Sequence, residues 1–147
     1  MPNLPRPVLR DFRHALANVV WVIFGMVDIL TELDAQRPGE RRAGDPLTPV
    51  EEGAASLKLA LAPLFENDGE LLDNAELRAM IAAVEPIVDT LESRTIQLHA
   101  AIAHDAIVRR SVASVLSAVG DIRRQLAEFV AAHPEIGLPA DGVTTPR

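Results

Sequence analysis

The apolar residues of this chain recur at alternating steps of three and four over most of its length, and that rhythm limits the fold more than any other feature. An apolar side chain every ~3.5 residues keeps returning to one face of an α-helix, whereas a half-buried strand alternates every second residue. The first seam is Leu9, Phe12, Leu16, Val19, Ile23, Met26, Leu30 and Leu33. After a break come Leu57, Leu61 and Leu64, and then Leu77, Ile81, Val84, Val88, Leu91, Thr95, Leu98 and Ile102. The last seam is Val108, Val112, Val115, Val119, Ile122, Leu126 and Phe129.

Local signals place the helix ends. Pro7 suits a first helical position, where its missing N–H costs nothing. Thr48-Pro49-Val50-Glu51 and Asp73-Asn74-Ala75-Glu76 both read as capping boxes. The segment Arg37 to Leu47 holds two prolines, two glycines and five charges, the composition of a loop. Pro86 falls inside the third pattern and predicts a kink, because it frees the carbonyl of Ala82. The third and fourth seams are out of phase near residues 103–105, since heptad steps from the third land on Asp105 and Arg109. An unbroken helix from Ala75 to Ala132 would be about 87 Å long, so a compact chain predicts a turn there with Asp105 capping the next helix.

These signals predict helices at about 7–36, 48–66, 74–103 and 106–132, an all-α, four-helix bundle-like fold in one domain spanning residues 1–147. The expected ordered core covers about 7–134, with a mobile loop at 37–47, a flexible tail at 135–147 and disordered ends. The second helix is short, so one end of the bundle stays open unless something else covers it.

Composition narrows function. A formal charge of −7 opposes phosphate-backbone binding, so nucleic acid is not an expected partner. With no cysteine, disulfides and thiolate metal sites are impossible. One lysine, Lys58, against thirteen arginines carries no functional weight. The opening MPNLPRPVLRDF lacks the pattern of a signal peptide. Fourteen residues separate Arg13 from Asp28, a helical length of roughly 21 Å against an apolar membrane core of about 30 Å. A transmembrane span is therefore not expected, and the localisation read from the sequence is cytoplasmic.

The stretch NVVWVIFGMVDIL, Asn18 to Leu30, is apolar on more sides than a bundle helix needs. With Ile23 and Met26 facing inward, Trp21 and Phe24 point away, Gly25 lies between them and Asp28 follows one turn on. Such a face has either cover from its own chain, as a central helix would, or a partner. A glycine inside a helix costs about 1 kcal/mol relative to alanine, and close approach of another backbone is a common reason for accepting it. The expected interface is Trp21, Phe24, Gly25 and Asp28, and self-association is its expected form, because symmetric homo-oligomers dominate among assemblies. Another protein is the alternative partner.

Three constellations bear on chemistry. His104-Asp105, within AIAHDAIVRRS, is similar to the phosphoacceptor region of histidine phosphotransfer and dimerisation domains, a likeness of two or three residues. It implies an exposed imidazole that attacks an acyl-phosphate; a solvated histidine near a helix end is the plain alternative. Glu85, Asp89 and Glu92 share a face of the third helix, and Glu70 with Asp73 forms an ExxD pair. All-helical nucleotide pyrophosphohydrolases hold Mg²⁺ with paired motifs of this sort, but the full double motif is not present here. Glu85, Asp89 and Glu92 are candidate metal ligands, with a solvated acidic face as the alternative. Arg109-Arg110 and Arg123-Arg124 recur two heptads apart and are expected to pair with acids such as Asp28, Glu32 or Asp89 on neighbouring helices.

No phosphate loop, HExxH, GxSxG or triad spacing is present. The sequence reads as a non-enzymatic interaction, scaffold or structural subunit without a cofactor. The alternatives are a small all-α enzyme or phosphotransfer protein using the third-helix carboxylates or His104, and an apolar-ligand or membrane-surface binder using the first helix.

Overall fold

The computed structural model describes residues 4–35, 47–66, 72–101 and 106–136. These form an all-α bundle, and no strand occurs among them. The helices are α1 (Arg6–Ala35), α2 (Leu47–Phe65), α3 (Asn74–Ala101) and α4 (Ala106–Ala132), followed by a short 3-10 turn, Pro134–Ile136.

Cross-helix contacts fix the topology. Thr31 meets Glu51 between α1 and α2, Gly53 lies against Leu91 between α2 and α3, Glu92 meets Arg123 between α3 and α4, and Phe12 stacks on Phe129 between α1 and α4. Successive helices therefore run up, down, up and down around one core. The α1 and α4 pair packs most extensively, followed by α2 and α3.

The seams of α3 and α4 are buried as their spacing requires, from Leu77 to Leu98 and from Val108 to Phe129. Thr95 is fully buried within its seam, and its hydroxyl donates to the Leu91 carbonyl at 2.6 Å. That bond satisfies a donor with no access to water. Ile102 lies outside the described residues.

In α1 the seam differs from the strict heptad. Leu9, Phe12, Leu16, Ile23 and Leu30 are buried, but Val20 and Val27 take the places expected for Val19 and Met26, which are half-buried along with Leu33. Leu9, Leu16, Ile23 and Leu30 keep their seven-residue spacing and their burial, so the change is confined to the second line of the stripe, which moves by one residue. From Leu9 to Leu30 the buried residues step by three, four, four, three, four and three, so the stripe still returns to the same face every seven residues.

The helix ends refine the expectation. Glu76 N–H donates to Asp73 Oδ1 at 2.8 Å and Asp73 N–H donates to Glu76 Oε1 at 3.1 Å, the reciprocal capping box read from the sequence. At α2 the helix already includes Leu47, and the Glu51 carboxylate accepts from the Thr31 hydroxyl of α1 at 2.6 Å. α3 passes through Pro86 as one helix. α3 and α4 are separate helices, and residues 102–105 between them lie outside the described set.

The short α2 leaves room at the end of the bundle where α1 and α3 begin. Leu4 before α1, Leu72 before α3 and Ile136 after α4 all join the single core. Ile136 is fully buried, and its carbonyl accepts from Arg78 Nη1 at 3.0 Å. The expected ordered core of 7–134 thus extends to Leu4 and Ile136, and the tail expected from 135 has its first two residues in the 3-10 turn. Of the segment expected as a loop, residues 37–46 lie outside the described residues and Leu47 already belongs to α2; the remainder of the tail, 137–147, also lies outside them.

Candidate interaction surface

Apolar residues meet solvent along the outer side of α1, and singly at Leu59 of α2, Ile96 of α3 and Ile107 of α4. Trp21 is 59% exposed, Val22 41% and Ile29 39%. Phe24 and Gly25 are half-buried, and Asp28 is exposed. The four residues expected to form an interface thus lie together on the outer and α2-facing sides of one helix, with Val22 and Ile29 extending the apolar area along the other edge.

Two residues of α2 complete this surface, and the sequence reading did not include them. The Trp21 ring makes an edge contact with Phe24, with centroids 5.8 Å apart, and lies at 23° to the ring of Phe65 at 6.5 Å. Lys58 Nζ stands 6.0 Å from the centre of the Phe24 ring, where the ring's negative face attracts a cation. Phe65 escaped notice because it closes α2 just after Leu64, the last residue of that seam. These contacts support the indole from one side and leave its other side in water.

Gly25 has open space where a Cβ would stand, with nothing within 4 Å. Among the described residues no close approach requires glycine there. The close approach lies elsewhere, at Gly53: a Cβ on that residue would come 3.0 Å from Leu91 Cδ1 and 3.6 Å from Leu91 Cα.

The acidic face of α3 is engaged by an arginine. Arg123 of α4 donates from Nη2 to Asp89 Oδ1 at 2.6 Å and from Nη1 to Glu92 Oε2 at 2.7 Å. This fork holds the Glu92 carboxyl below its ordinary pKa, chiefly through the hydrogen bond, and raises that of the guanidinium. Glu85 lies on the same side, lining a shallow recess with Val88, Asp89, Arg123 and Leu126. Among the described residues no three His, Asp or Glu side chains gather in a way that would hold a metal. Two of the three expected ligands, Asp89 and Glu92, are ion-pair partners of Arg123. Arg124 pairs within its own helix, with Asp121 at 3.1 Å and Glu128 at 3.8 Å. Arg109 and Arg110 are exposed.

His104 and Asp105, the expected phosphoacceptor motif, lie outside the described residues, as does Glu70 of the ExxD pair. His133 lies beside Phe129 with ring centroids 4.7 Å apart, and its Nδ1 is 3.1 Å from Glu135 Oε1. It borders a groove between α1 and α4 lined also by Val8, Phe12 and Gln125, whose Oε1 is buried without a hydrogen-bond partner.

No protein-family model, curated protein or solved structure matches this chain. Its own geometry is therefore the ground for a functional reading.

By length and composition, one helix among those described could cross a membrane: the 29-residue segment Arg6–Asp34 of α1, with a mean hydropathy of 1.7 over its most apolar window. The shorter length reckoned from Arg13 to Asp28 treats each charge as a boundary, whereas this window tolerates acids near its end. In the bundle the same segment places Leu16, Val20 and Ile23 in the core.

Proposed function

We propose that this chain is a non-enzymatic helical interaction or structural subunit that self-associates through the outer side of α1. The observation that supports this reading is Trp21, a large aromatic residue braced by Phe24 and Phe65 yet more than half exposed, within an edge that also exposes Val22 and Ile29. Tryptophan in a partly preformed setting is the kind of residue that dominates association energy, because it buries a large area with little rotamer freedom to lose. Gly25 fits the same reading: the space over it is open to a neighbour. The capture of Asp89 and Glu92 by Arg123 favours a structural over a catalytic use of the α3 carboxylates.

Light scattering across micromolar concentrations tests the proposal. A mass of twice the 15.9 kDa chain is expected, and a single-chain mass throughout would remove the proposal. A second reading, adsorption of α1 to a membrane surface, draws on the hydropathy of Arg6–Asp34. It ranks lower because the exposed Asp28 and Glu32 border the apolar edge and oppose approach to anionic lipid. Flotation with neutral and anionic vesicles separates the two.

A further inference from the structure

The charges along the exposed side of α1 are arranged symmetrically about Trp21. Arg10 and His14 precede it, and Asp28 and Glu32 follow. The spacing from Arg10 to Glu32 is four, seven, seven and four, which reads the same from either end with the sign of charge reversed. On a helix turning 100° per residue these five positions fall within a stripe about 40° wide. All five are exposed. Among the described residues no ion pair or side-chain hydrogen bond engages any of the four charged or titratable ones.

Within one chain this pattern is unfavourable. Asp28 and Glu32 are like charges four residues apart on one helix, and such a pair repels. A second α1 laid antiparallel over the first, with the two-fold axis at Trp21, relieves that repulsion by bringing basic side chains to the two acids. In that register residue i faces residue 42 − i, so Arg10 meets the partner's Glu32 and His14 meets the partner's Asp28. The symmetry repeats each pair, and the two indoles meet at the axis. A two-fold axis perpendicular to both helices keeps each edge of one helix against the same edge of the other, so the stripe meets itself. Parallel pairing would instead set each acid against its own copy. Asp11, the remaining acid in the N-terminal half, lies on the other edge, where it lines the groove against α4.

Building on the proposed self-association, we infer that the occupant of this face is a second copy of the chain, docked antiparallel in the register that places Trp21 on the two-fold axis. The charged ends select this orientation and register, and the apolar centre supplies most of the affinity.

Charge exchange tests the register. Glu32→Arg and Arg10→Glu each turn two attractive contacts into repulsive ones and are expected to weaken the dimer about tenfold in low salt. The double variant R10E/E32R restores opposite charges and is expected to return dissociation to within about threefold of the parent. The two positions lie about 33 Å apart along one helix, too far for direct coupling inside a monomer, so rescue reports contact between chains. A dimer in which the two changes add without rescue overturns the register while leaving self-association standing. A parent chain that sediments as a monomer removes the underlying reading as well. Circular dichroism on each variant confirms folding, and both sites are exposed.

Discussion

A Cβ built on Gly53 would stand 3.0 Å from Cδ1 of Leu91, which is fully buried, whereas one built on Gly25 would meet nothing within 4 Å. Among the mid-helix glycines, Gly53 is thus held by packing inside the bundle, whereas Gly25, like Gly120, has open space beside it.

Substitution should separate them. Gly53→Val is expected to destabilise the fold by about 1–3 kcal/mol, since Leu91 has no free space into which to retreat. Gly25→Ala is expected to stabilise the isolated bundle by up to about 1 kcal/mol through helix propensity. Urea denaturation of both variants beside the parent measures the difference. Equal effects would show that the α2 and α3 packing is looser than the geometry states.

The aromatic pair Phe12 and Phe129, with centroids 3.7 Å apart and planes at 12°, joins α1 to α4 near one end of the bundle. Phe129→Ala should cost about 3–5 kcal/mol by removing a stacked, buried ring. A loss under about 1 kcal/mol, read from the urea midpoint and slope, would mean that the site collapses around the missing ring.

Ile136 is a sharper test of how the bundle end closes. Ile136→Ala should cost about 2–5 kcal/mol if the 3-10 turn belongs to the core. A substitution without effect would return this segment to the status of a tail.

The fork from Arg123 to Asp89 and Glu92 should show in the pH dependence of stability. Glu92 titrates below its ordinary value of 4.5 in the folded state, so the unfolded chain binds its proton first as pH falls. The resulting stabilisation is full above the unfolded value and is lost as pH drops through the lower folded value. Glu92→Gln should therefore be less stable than the parent near neutrality by under about 1 kcal/mol, the range for partly exposed pairs. The gap should close as pH falls below about 4. A gap that widened on acidification would contradict the ion-pair assignment.

Much of this architecture was legible before any coordinates. The heptads from Leu77 to Leu98 and from Val108 to Phe129 located buried faces because burial repeats with the helix, and Asp73 with Glu76 marked a real capping box. The phase slip near Asp105 separated α3 from α4. What escaped were relations between distant parts of the chain. Ile136 looks like any residue of a polar, proline-containing tail until the folded bundle gives it a place in the core. Phe65 and Lys58 come beside Trp21 and Phe24 only once α2 folds back along α1. The pairing of Arg123 with Asp89 follows the expectation for the α4 arginines, whereas spacing alone did not reveal that the same guanidinium would also take Glu92. Trp21 points outward as its position on the helix implies, whereas Phe24, expected to do the same, is half-buried beside Lys58 of α2.

The most direct test of the account is Trp21→Glu, measured by sedimentation velocity and far-ultraviolet circular dichroism on the same sample. A carboxylate at this exposed position should leave helicity unchanged, and it would have to be desolvated for two copies to associate. The expected result is native helicity with a fall from twice the chain mass to a single 15.9 kDa chain. Native helicity with an unchanged oligomeric mass would contradict the assignment of the interface to the outer side of α1.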